Sequence, residues 1–456
     1  MGITLYKNAD WILTVNEKRE KFRHGDLLIS GKEILDVGND LEKKYAGKLQ
    51  IDKTIDAKGT VILPGFVNVH HHTWQSLIRN IQATRGLKLE PWLTVMYEIY
   101  KDLNTDVARA GVYSGLGDML KTGCTTSNDL WYPHPVGVKY LVDAEIQAVA
   151  EIGIRFHPTR GFHSVPSDIV PPEVVDTKES VTEDTIRLVK KYHDRSRFSM
   201  CQVGIAPSIA QYETEDIIEA VVDLAESQHE VEYTLKTWGC RPFEWFKRHR
   251  LLGKRFYFAH CIHLNEEEIE QMAETETGVA HCPISNMLLS SGACPVPSYL
   301  KHGLTRIGLG VDGAASSNSS NMLEEIRCAY LLNRLTWGDQ AATPDDYLYM
   351  ATAGGAKVLG RDDIGYLAPG MAADFTVMDW NQLTYAGGCY DPVACIVESG
   401  DPRLVKDVVV NGELVVSSGK LTKVNEEEKR DYVNQVGKDL LTRASARIDS
   451  LKEDIN

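Results

Sequence analysis

The feature that most constrains the fold is an alternation of short apolar runs with amphipathic helical stretches across the middle of the chain. The apolar runs are VILPGFVNV (61–69), TTSNDL (125–130), GIRFHPTR (153–160), QVGIAP (202–207), RFYFAH (255–260), GVAHC (278–282) and RIGLGVD (306–312). Strands that alternate with helices form parallel sheets, because parallel neighbours need a crossover connection. Seven such strands predict an α/β fold, a (β/α)₈ barrel of the TIM type, with its remaining strand between 208 and 254.

The two ends of the chain have a different pattern. Residues 1–60 and 365–423 contain short strands separated by turns, whereas the tail 424–456 has helical spacing and good helix formers. We therefore expect a small β-sandwich domain formed by 1–60 and 365–423, a barrel over 61–364 and a C-terminal helix over 424–456. A chain of 456 residues is long enough for these two cores.

Composition and charge exclude several functional classes. A net charge of −15 repels phosphate backbones, so no nucleic-acid partner is expected. No run of 18 apolar residues exists, so no membrane partner is expected either. The N-terminal residues lack the layout of a secretory signal, which predicts a cytoplasmic protein. The nine cysteines contain no CxxC pair, so neither a zinc ribbon nor a disulfide framework is indicated.

Polar residues stand where the apolar runs end, which is where barrel enzymes place their chemistry. They are His70, His71 and His72 after the first run, then His260, His281 and Asp312. One strand-end histidine alone is most often a buried structural residue, but the set as a whole favours a site. His70 and His72 are two apart on an extended segment, so they share a face, and His71 should face away. Two imidazoles and a carboxylate suit zinc or a similar divalent ion.

Four segments carry a resemblance to a known family. PGFVNVHHHTWQSLIRN, FAHCIHLN, AHCPISNMLLSSGACPV and GLGVDGAASSNSSNM resemble the signature segments of the amidohydrolase superfamily. The branch they resemble contains 8-oxoguanine deaminase, isocytosine deaminase and the s-triazine hydrolases (chlorohydrolase-like). LGRDDIGYLAPGMAADFTVMD resembles the return of that family's chain into its β-sandwich domain. The resemblance covers nearly the whole chain.

The resemblance implies one divalent metal ion, zinc or alternatively iron, and assigns roles to four residues. His70, His72 and Asp312 match metal ligands, and Asp312 also takes a proton from the nucleophilic water. His260 matches the histidine that orients this water. The implied activity is hydrolytic deamination of a small nitrogen heterocycle, a purine or pyrimidine similar to 8-oxoguanine or isocytosine. The implied enzyme class is a hydrolase acting on C–N bonds other than peptide bonds.

Three further residues match positions near the substrate in this branch. Gln75 offers an amide for hydrogen bonds to ring edges, and Trp92 offers an aromatic face for stacking on a flat heterocycle. Arg160 would reach a ring carbonyl. Trp92 and Arg160 each have an ordinary structural alternative, which is core packing for Trp92 and a salt bridge for Arg160.

The family has one more metal ligand, a histidine at the end of the fifth strand, in an HxxE pattern whose glutamate shuttles protons. No strand is evident there, because DIIEAVVDLAE (216–226) has the spacing of an amphipathic helix. The residues after 226 resemble an outer loop, as though about a dozen residues were absent. By its downstream spacing Glu226 takes the shuttle position. We expect no histidine ligand from the fifth strand, and a main-chain jump between Glu226 and Ser227. The alternatives are an HxxE pair of His229 and Glu232, or a short strand VEYTL (231–235).

Other functions remain in competition. A dinuclear hydrolase of the dihydropyrimidinase type needs a lysine that QVGIAPS does not offer, and the cytidine-deaminase fold needs a PCxxC motif that is absent. An s-triazine-type amino- or chlorohydrolase stays open, since it shares the scaffold. An alternative of another class is a non-catalytic amidohydrolase-like scaffold, which should carry less than one metal ion per chain. A homo-oligomer with a small heterocyclic substrate is expected.

Overall fold

The computed structural model describes residues 2–207, 222–224 and 226–455. We number its strands in chain order. They are β1 (Ile3–Leu13), β2 (Lys21–Ser30), β3 (Glu33–Gly38), β4 (Lys53–Asp56), β5 (Thr60–Pro64), β6 (Phe66–Asn68), β7 (His71–His72), β8 (Cys124–Trp131), β9 (Arg155–Phe162), β10 (Gly204–Pro207), β11 (Val222–Leu224), β12 (Tyr257–His260), β13 (Gly278–His281), β14 (Ile307–Leu309), β15 (Asp312–Gly313), β16 (Phe375–Asp379), β17 (Val405–Val410), β18 (Glu413–Ser417) and β19 (Lys420–Leu421).

The helices of the described residues are numbered in the same way. They are α1 (Leu41–Tyr45), α2 (Leu89–Tyr100), α3 (Thr105–Gly111), α4 (Gly117–Lys121), α5 (Leu141–Ile152), α6 (Lys178–Tyr192), α7 (Gln228–Trp238), α8 (Pro242–Arg248), α9 (Glu266–Thr275), α10 (Pro283–Leu288), α11 (Val296–Lys301), α12 (Ala314–Ser317), α13 (Met322–Trp337), α14 (Pro344–Tyr349), α15 (Gly355–Val358), α16 (Pro392–Ser399) and α17 (Glu426–Ile455). Among them, no helix is both long and apolar enough to cross a bilayer.

Eight parallel strands form the barrel sheet, in the order β10, β9, β8, β6, β14, β13, β12, β11. The first and last of these strands along the chain, β6 and β14, are neighbours through the pair Asn68 and Leu309. Their side chains are fully buried, as are those of β8, β9, β12 and β13. The predicted α/β barrel is therefore confirmed. Its parallel strands place their carboxyl ends, where the polar residues stand, along one rim.

The fifth barrel strand is β11, which lies within the segment whose spacing predicted a helix over 216–226. Val222 pairs with Phe258 and Leu224 with His260, parallel to β12. For 222–224 the helix prediction is therefore wrong, because backbone pairing with β12 overrides a helical spacing in so short a stretch. Residues 216–221 and 225 of that predicted helix lie outside the described residues.

The segment after β11 also differs from expectation. VEYTL belongs to helix α7 and is not a strand. The Ser227 hydroxyl accepts the backbone N–H of Glu230 and caps this helix, and Val231 and Thr234 are buried on its inner face. Ser227 has ordinary extended dihedral angles, φ −115° and ψ 153°. The predicted main-chain jump after Glu226 is therefore wrong, since the chain passes from the rim directly into a capped helix.

The two chain ends form one nine-stranded sheet, as the predicted small β domain requires. Its order is β19, β18, β17, β16, β5, β1, β2, β3, with β4 paired to β1. The predicted first strand, 61–69, is divided at Gly65 between this sheet (β5) and the barrel (β6). A Cβ atom at Gly65 would lie 2.0 Å from the Thr125 side chain, so only glycine fits this crossing. The proposed domain boundaries at 60/61 and 364/365 stay a prediction.

A buried ion pair ties the barrel to the sheet of the chain ends. Arg155 on β9 donates from Nη2 and Nε to the carboxylate of Asp374, at 2.8 and 3.1 Å, and both side chains are almost fully buried. Asp374 also accepts the backbone N–H of Asn411, between β17 and β18, at 2.6 Å. Because a bidentate pair of this kind fixes direction as well as distance, it holds the barrel and the nine-stranded sheet in a fixed orientation.

Candidate active site

The polar residues after the first and last barrel strands are brought together by main-chain pairing. Beyond β6 and β14 the chain continues as β7 and β15, which pair in parallel with Asp312 opposite His71. The backbone N–H of Asp312 donates to the carbonyl of His70 at 3.0 Å. Asp312 and His260 have φ angles of 60° and 64°. Such left-handed backbone is uncommon outside glycine, and it concentrates at functional sites.

His70, His72 and Asp312 form a buried cluster. Their ligand atoms lie within 4.8 Å of one another, with Oδ1 of Asp312 3.2 Å from Nε2 of His72 and 3.5 Å from Nε2 of His70. All three residues are at most 5% exposed. Burial alone would raise the pKa of Asp312, but hydrogen bonds and charge from His70 and His72 hold that pKa well below its usual range. The cluster therefore presents a carboxylate between two imidazoles.

The hydrogen bonds behind two histidines fix which nitrogen faces the cluster. His72 donates from Nδ1 to the carbonyl of Leu130 at 2.8 Å, which leaves Nε2 as the nitrogen towards Asp312. His260 donates from Nδ1 to Oδ1 of Asn286 at 2.9 Å, so its Nε2 faces the rim. Metal-binding histidines are commonly held in this way, by an outer carbonyl acceptor on the other ring nitrogen. Two imidazoles and a carboxylate, with Nε2 of His72 turned towards Asp312, therefore fit a divalent ion such as zinc.

His71, between the two cluster histidines, faces away from them. Burial, with the neighbouring His72, lowers the pKa of His71 to about 3, so it is neutral. Its Nδ1 accepts the backbone N–H of His72 at 2.9 Å. This places His71 in the structural position that the spacing indicated.

Glu226 and His260 complete one side of the site. Oε2 of Glu226 lies 3.6 Å from Nε2 of His260, and the Ser291 hydroxyl donates to Oε1 of Glu226 at 3.3 Å. Glu226 is only 4% exposed although it lies just beyond the short strand β11. The alternative pair, His229 and Glu232, is exposed on α7 and does not reach the site.

Gln75 and Trp92 line a cavity of about 30 Å³ at the cluster. The other lining residues are His72, Leu89, Leu93, Tyr132, Glu226, His260, Leu289, Asp312 and Ser316. Gln75 donates from Nε2 to the Tyr100 hydroxyl at 3.0 Å, whereas its buried Oε1 has no hydrogen-bond partner among the described residues. That oxygen is a buried acceptor of a residue that lines the cavity. A larger cavity, of about 890 Å³, opens at the amino ends of β10 and β12, away from this cluster.

Arg160 takes the structural alternative. On β9 it donates from Nε to Asp184 at 3.0 Å and from Nη2 to both carboxylate oxygens of Asp176 at 3.1 Å. It is 2% exposed and lies outside the residues that line the cavity at the cluster. Its guanidinium is paired with two carboxylates, and this arrangement does not support the predicted role of Arg160 in substrate binding.

Sequence reasoning missed two polar lining residues. Tyr132 follows the end of β8, and its ring lies edge-on to that of His72 at 5.0 Å. The strand-end rule that found the histidines would have found this tyrosine as well. Ser316 lies on α12, and its single hydroxyl proton is shared between Oδ2 of Asp312 at 3.3 Å and the carbonyl of Gly313 at 3.0 Å. Nothing in its sequence context distinguishes Ser316 from the serines around it.

Comparison with known proteins identifies relatives over most of the chain. The model of the amidohydrolase family matches residues 61–415. The chain is 36% identical over 379 residues to 8-oxoguanine deaminase of Pseudomonas aeruginosa, covering 80% of this chain and 84% of that protein. It is 32% identical to hydroxydechloroatrazine ethylaminohydrolase of Pseudomonas sp. strain ADP, covering 94% of each.

Solved structures show the same fold. Atrazine chlorohydrolase from Arthrobacter aurescens TC1, complexed with zinc, superposes with a TM-score of 0.88 at 24% identity, covering 95% of this chain and 100% of that one. An adenosine deaminase from Xanthomonas campestris with bound zinc gives a TM-score of 0.85 at 20% identity, covering 98% of each. At these identities the likeness establishes the architecture alone.

Proposed function

Since the chain belongs to the amidohydrolase family, we propose that it is a metal-dependent hydrolytic deaminase of a small nitrogen heterocycle, similar to 8-oxoguanine or isocytosine. The observation that carries this proposal is the buried cluster of His70, His72 and Asp312 beside a cavity lined by Gln75 and Trp92. The relatives of the chain include a deaminase of an oxidised purine, which supports this substrate class.

His70, His72 and Asp312 would hold one divalent ion, and zinc suits two imidazoles and a carboxylate. When bound, such an ion lowers the pKa of water from about 16 towards 7 and polarises the substrate, which supplies a nucleophile at neutral pH. Asp312 would accept the water's proton, because it is the carboxylate of the cluster and lies beside both imidazoles that would hold the ion. We favour zinc over iron because two neighbours of the same fold were solved with zinc.

Deamination replaces a ring C–NH₂ bond with a C–O bond, so the departing nitrogen needs a proton to leave as ammonia. Glu226 would carry a proton between the attacking and leaving groups, a role that its position in the cavity lining and its distance of 3.6 Å from His260 support. His260, held through Nδ1 by Asn286, would orient the attacking oxygen. Glu226 and His260, with Asp312, form the proposed proton path.

Recognition of the ring would rest on the cavity walls. The Oε1 atom of Gln75 accepts a ring N–H, and the indole of Trp92 provides an apolar face for a flat heterocycle. Tyr132 adds a second aromatic wall next to His72. A buried acceptor discriminates strongly between substrates, because a ligand without the matching donor leaves it unsatisfied.

A second candidate is a triazine-type amino- or chlorohydrolase, favoured by the 32% identity to an ethylaminohydrolase over 94% of both chains. One panel separates the two. Zinc-loaded protein is incubated with purines, pyrimidines, pterins and triazines that carry amino, alkylamino or chloro groups, and ammonia, alkylamine and chloride are measured. We expect ammonia from an aminopurine or aminopyrimidine. Chloride or alkylamine alone would establish the second candidate.

The non-catalytic scaffold is tested by metal content. We expect about one zinc ion per chain after purification, and a content well below one, with no product from the panel, would support a scaffold instead.

We further assign the protein to purine or pyrimidine metabolism in the cytoplasm, and to a homo-oligomeric state. Light scattering of the zinc-loaded protein tests the last assignment, and a monomer would reject it.

A further inference from the structure

A second group of possible metal ligands adjoins the cluster already described. Ligand atoms of His70, His260 and Cys282 lie within 4.8 Å of one another, and all three residues are buried. We call this group the thiol set, and His70, His72 and Asp312 the carboxylate set. The two sets share His70, so they are not independent.

Cys282 is held in place by the strand ends around it. It follows β13 directly and occupies the position before helix α10, with φ −120° and ψ 69°. A Cβ atom at Gly310 would lie 3.1 Å from its sulfur and 2.6 Å from Cβ of His70, so only glycine leaves room for the close packing of these residues. The sulfur therefore lies at the meeting point of the first, seventh and eighth strands, beside His70.

The two sets differ in chemistry more than in charge. Each offers two imidazoles and one group that binds as an anion, but a thiolate is soft whereas a carboxylate is hard. Soft thiolate donors favour soft ions such as cadmium, whereas hard ions such as magnesium, calcium or manganese prefer oxygen ligands. Cys282 is a thiol that donates weakly to the carbonyl of Ala280 at 3.7 Å, so binding an ion would release the thiol proton to solvent.

We propose that His70, His260 and Cys282 form a second metal site, selective for soft divalent ions such as cadmium, whose occupation excludes an ion from the carboxylate set. Exclusion follows because an ion in either set uses His70, and one imidazole nitrogen has a single lone pair that binds one ion. Occupation also withdraws His260 from the proton path. The inhibitory consequence rests on the proposed function, whereas the binding site itself does not. Cadmium in excess would therefore inhibit the enzyme at its own metal centre.

Cadmium is the probe, because cadmium thiolates absorb in the ultraviolet. Metal-free protein is titrated with cadmium chloride in wild type, Cys282→Ser and the matched control Cys395→Ser. Cys395 is chosen because its sulfur lies 3.7 Å from that of Cys389, which makes this pair another place where cadmium would meet a thiol. We expect a cadmium–thiolate band of similar strength in wild type and Cys395→Ser. In Cys282→Ser this band should be weaker, with at least about tenfold weaker cadmium binding.

X-ray absorption at the cadmium edge on the wild type gives a readout that needs no variant. One sulfur and two nitrogens around the first equivalent support the proposal, and an oxygen and nitrogen shell without sulfur overturns it. A band unchanged in a folded Cys282→Ser protein also overturns it. Failure of the proposed function is distinguishable, because a zinc-loaded protein that releases no product from any heterocycle leaves the cadmium spectra unaffected.

Discussion

The Nε2 atom of His72 lies 3.2 Å from Oδ1 of Asp312, although the two residues follow the first and last strands of the barrel. The pairing of β7 with β15 places them there. Asp312 is ionised in this position because His70 and His72 offset the cost of its burial. The geometry of the site is thus a direct consequence of barrel closure.

Replacing the carboxylate tests its proposed role as the base. Asp312→Asn keeps an oxygen that can accept the backbone N–H of Gly313, a bond of 2.6 Å in the structure, so the fold should survive. The amide cannot accept a proton from water, and kcat should fall by about 10² to 10⁴. Steady-state kinetics with circular dichroism and metal analysis checks this result. Near-normal turnover in the variant would place the base elsewhere.

A methyl group at Gly313 tests the role of Gln75. A Cβ atom there would lie 1.8 Å from Oε1 of Gln75, so Gly313→Ala must displace that acceptor. We expect KM to rise by about tenfold or more, the cost of roughly one lost hydrogen bond, with the metal content unchanged. Gly117→Ala is the matched control, because its nearest new contact is an ordinary 3.6 Å. Equal KM values in the two variants would remove Gln75 from substrate recognition.

The buried pair of Arg155 and Asp374 predicts a large stability effect. Arg155→Met leaves the carboxylate of Asp374 buried without its partner, which should lower the free energy of unfolding by about 3 to 5 kcal/mol. Arg430→Met is the control, since Arg430 and Asp431 are mostly exposed and their pair should contribute within about 0.5 kcal/mol. Urea unfolding of both variants measures the difference. A loss at Arg155 no larger than that at Arg430 would show that the pair does not join the two sheets.

Two buried carboxyl groups predict how stability depends on pH. Burial raises the pKa of Asp129 to about 7 and that of Glu145 well above its usual range. A folded-state pKa above the unfolded value means that the folded state holds the proton more tightly. Stability should therefore fall as pH rises from about 4 to 7, by up to about 1.4 kcal/mol per pH unit for each proton.

Asp129→Asn tests this assignment, because the amide mimics the protonated carboxyl and can still accept the backbone N–H of Thr73. We expect the unfolding free energy of the variant to decline less between pH 5 and 7 than that of wild type. The measurement is urea unfolding at several pH values in that interval. Parallel pH profiles for the two proteins would show that Asp129 is ionised throughout.

The parts of the site that were predictable are those that a local pattern determines. His70, His72 and Asp312 stand directly after apolar runs, and a parallel barrel places such strand ends on one rim. The partners of Arg160 were not predictable, because Asp176 and Asp184 come from a connecting segment and from helix α6. A strand-end arginine looks the same in sequence whether it faces a substrate or two carboxylates.

The fifth strand shows the limit of periodicity as a signal. Val222–Leu224 is three residues long and lies in a stretch whose apolar spacing is helical, so pairing with β12 alone decides its conformation. VEYTL has strand-like composition, but Ser227 caps a helix that includes it. In both cases tertiary contacts outweigh a local preference of a few tenths of a kcal/mol per residue.

Zinc-dependent release of ammonia tests the central claim most directly. The purified protein is stripped with a chelator, divided into metal-free and zinc-reconstituted samples, and incubated with 8-oxoguanine and with isocytosine while ammonia is measured. We predict ammonia release from at least one of these rings in the zinc-reconstituted sample, and release at least about 10²-fold slower in the metal-free sample. Equal rates with and without zinc, or no ammonia from either ring at one bound zinc per chain, would contradict the assignment.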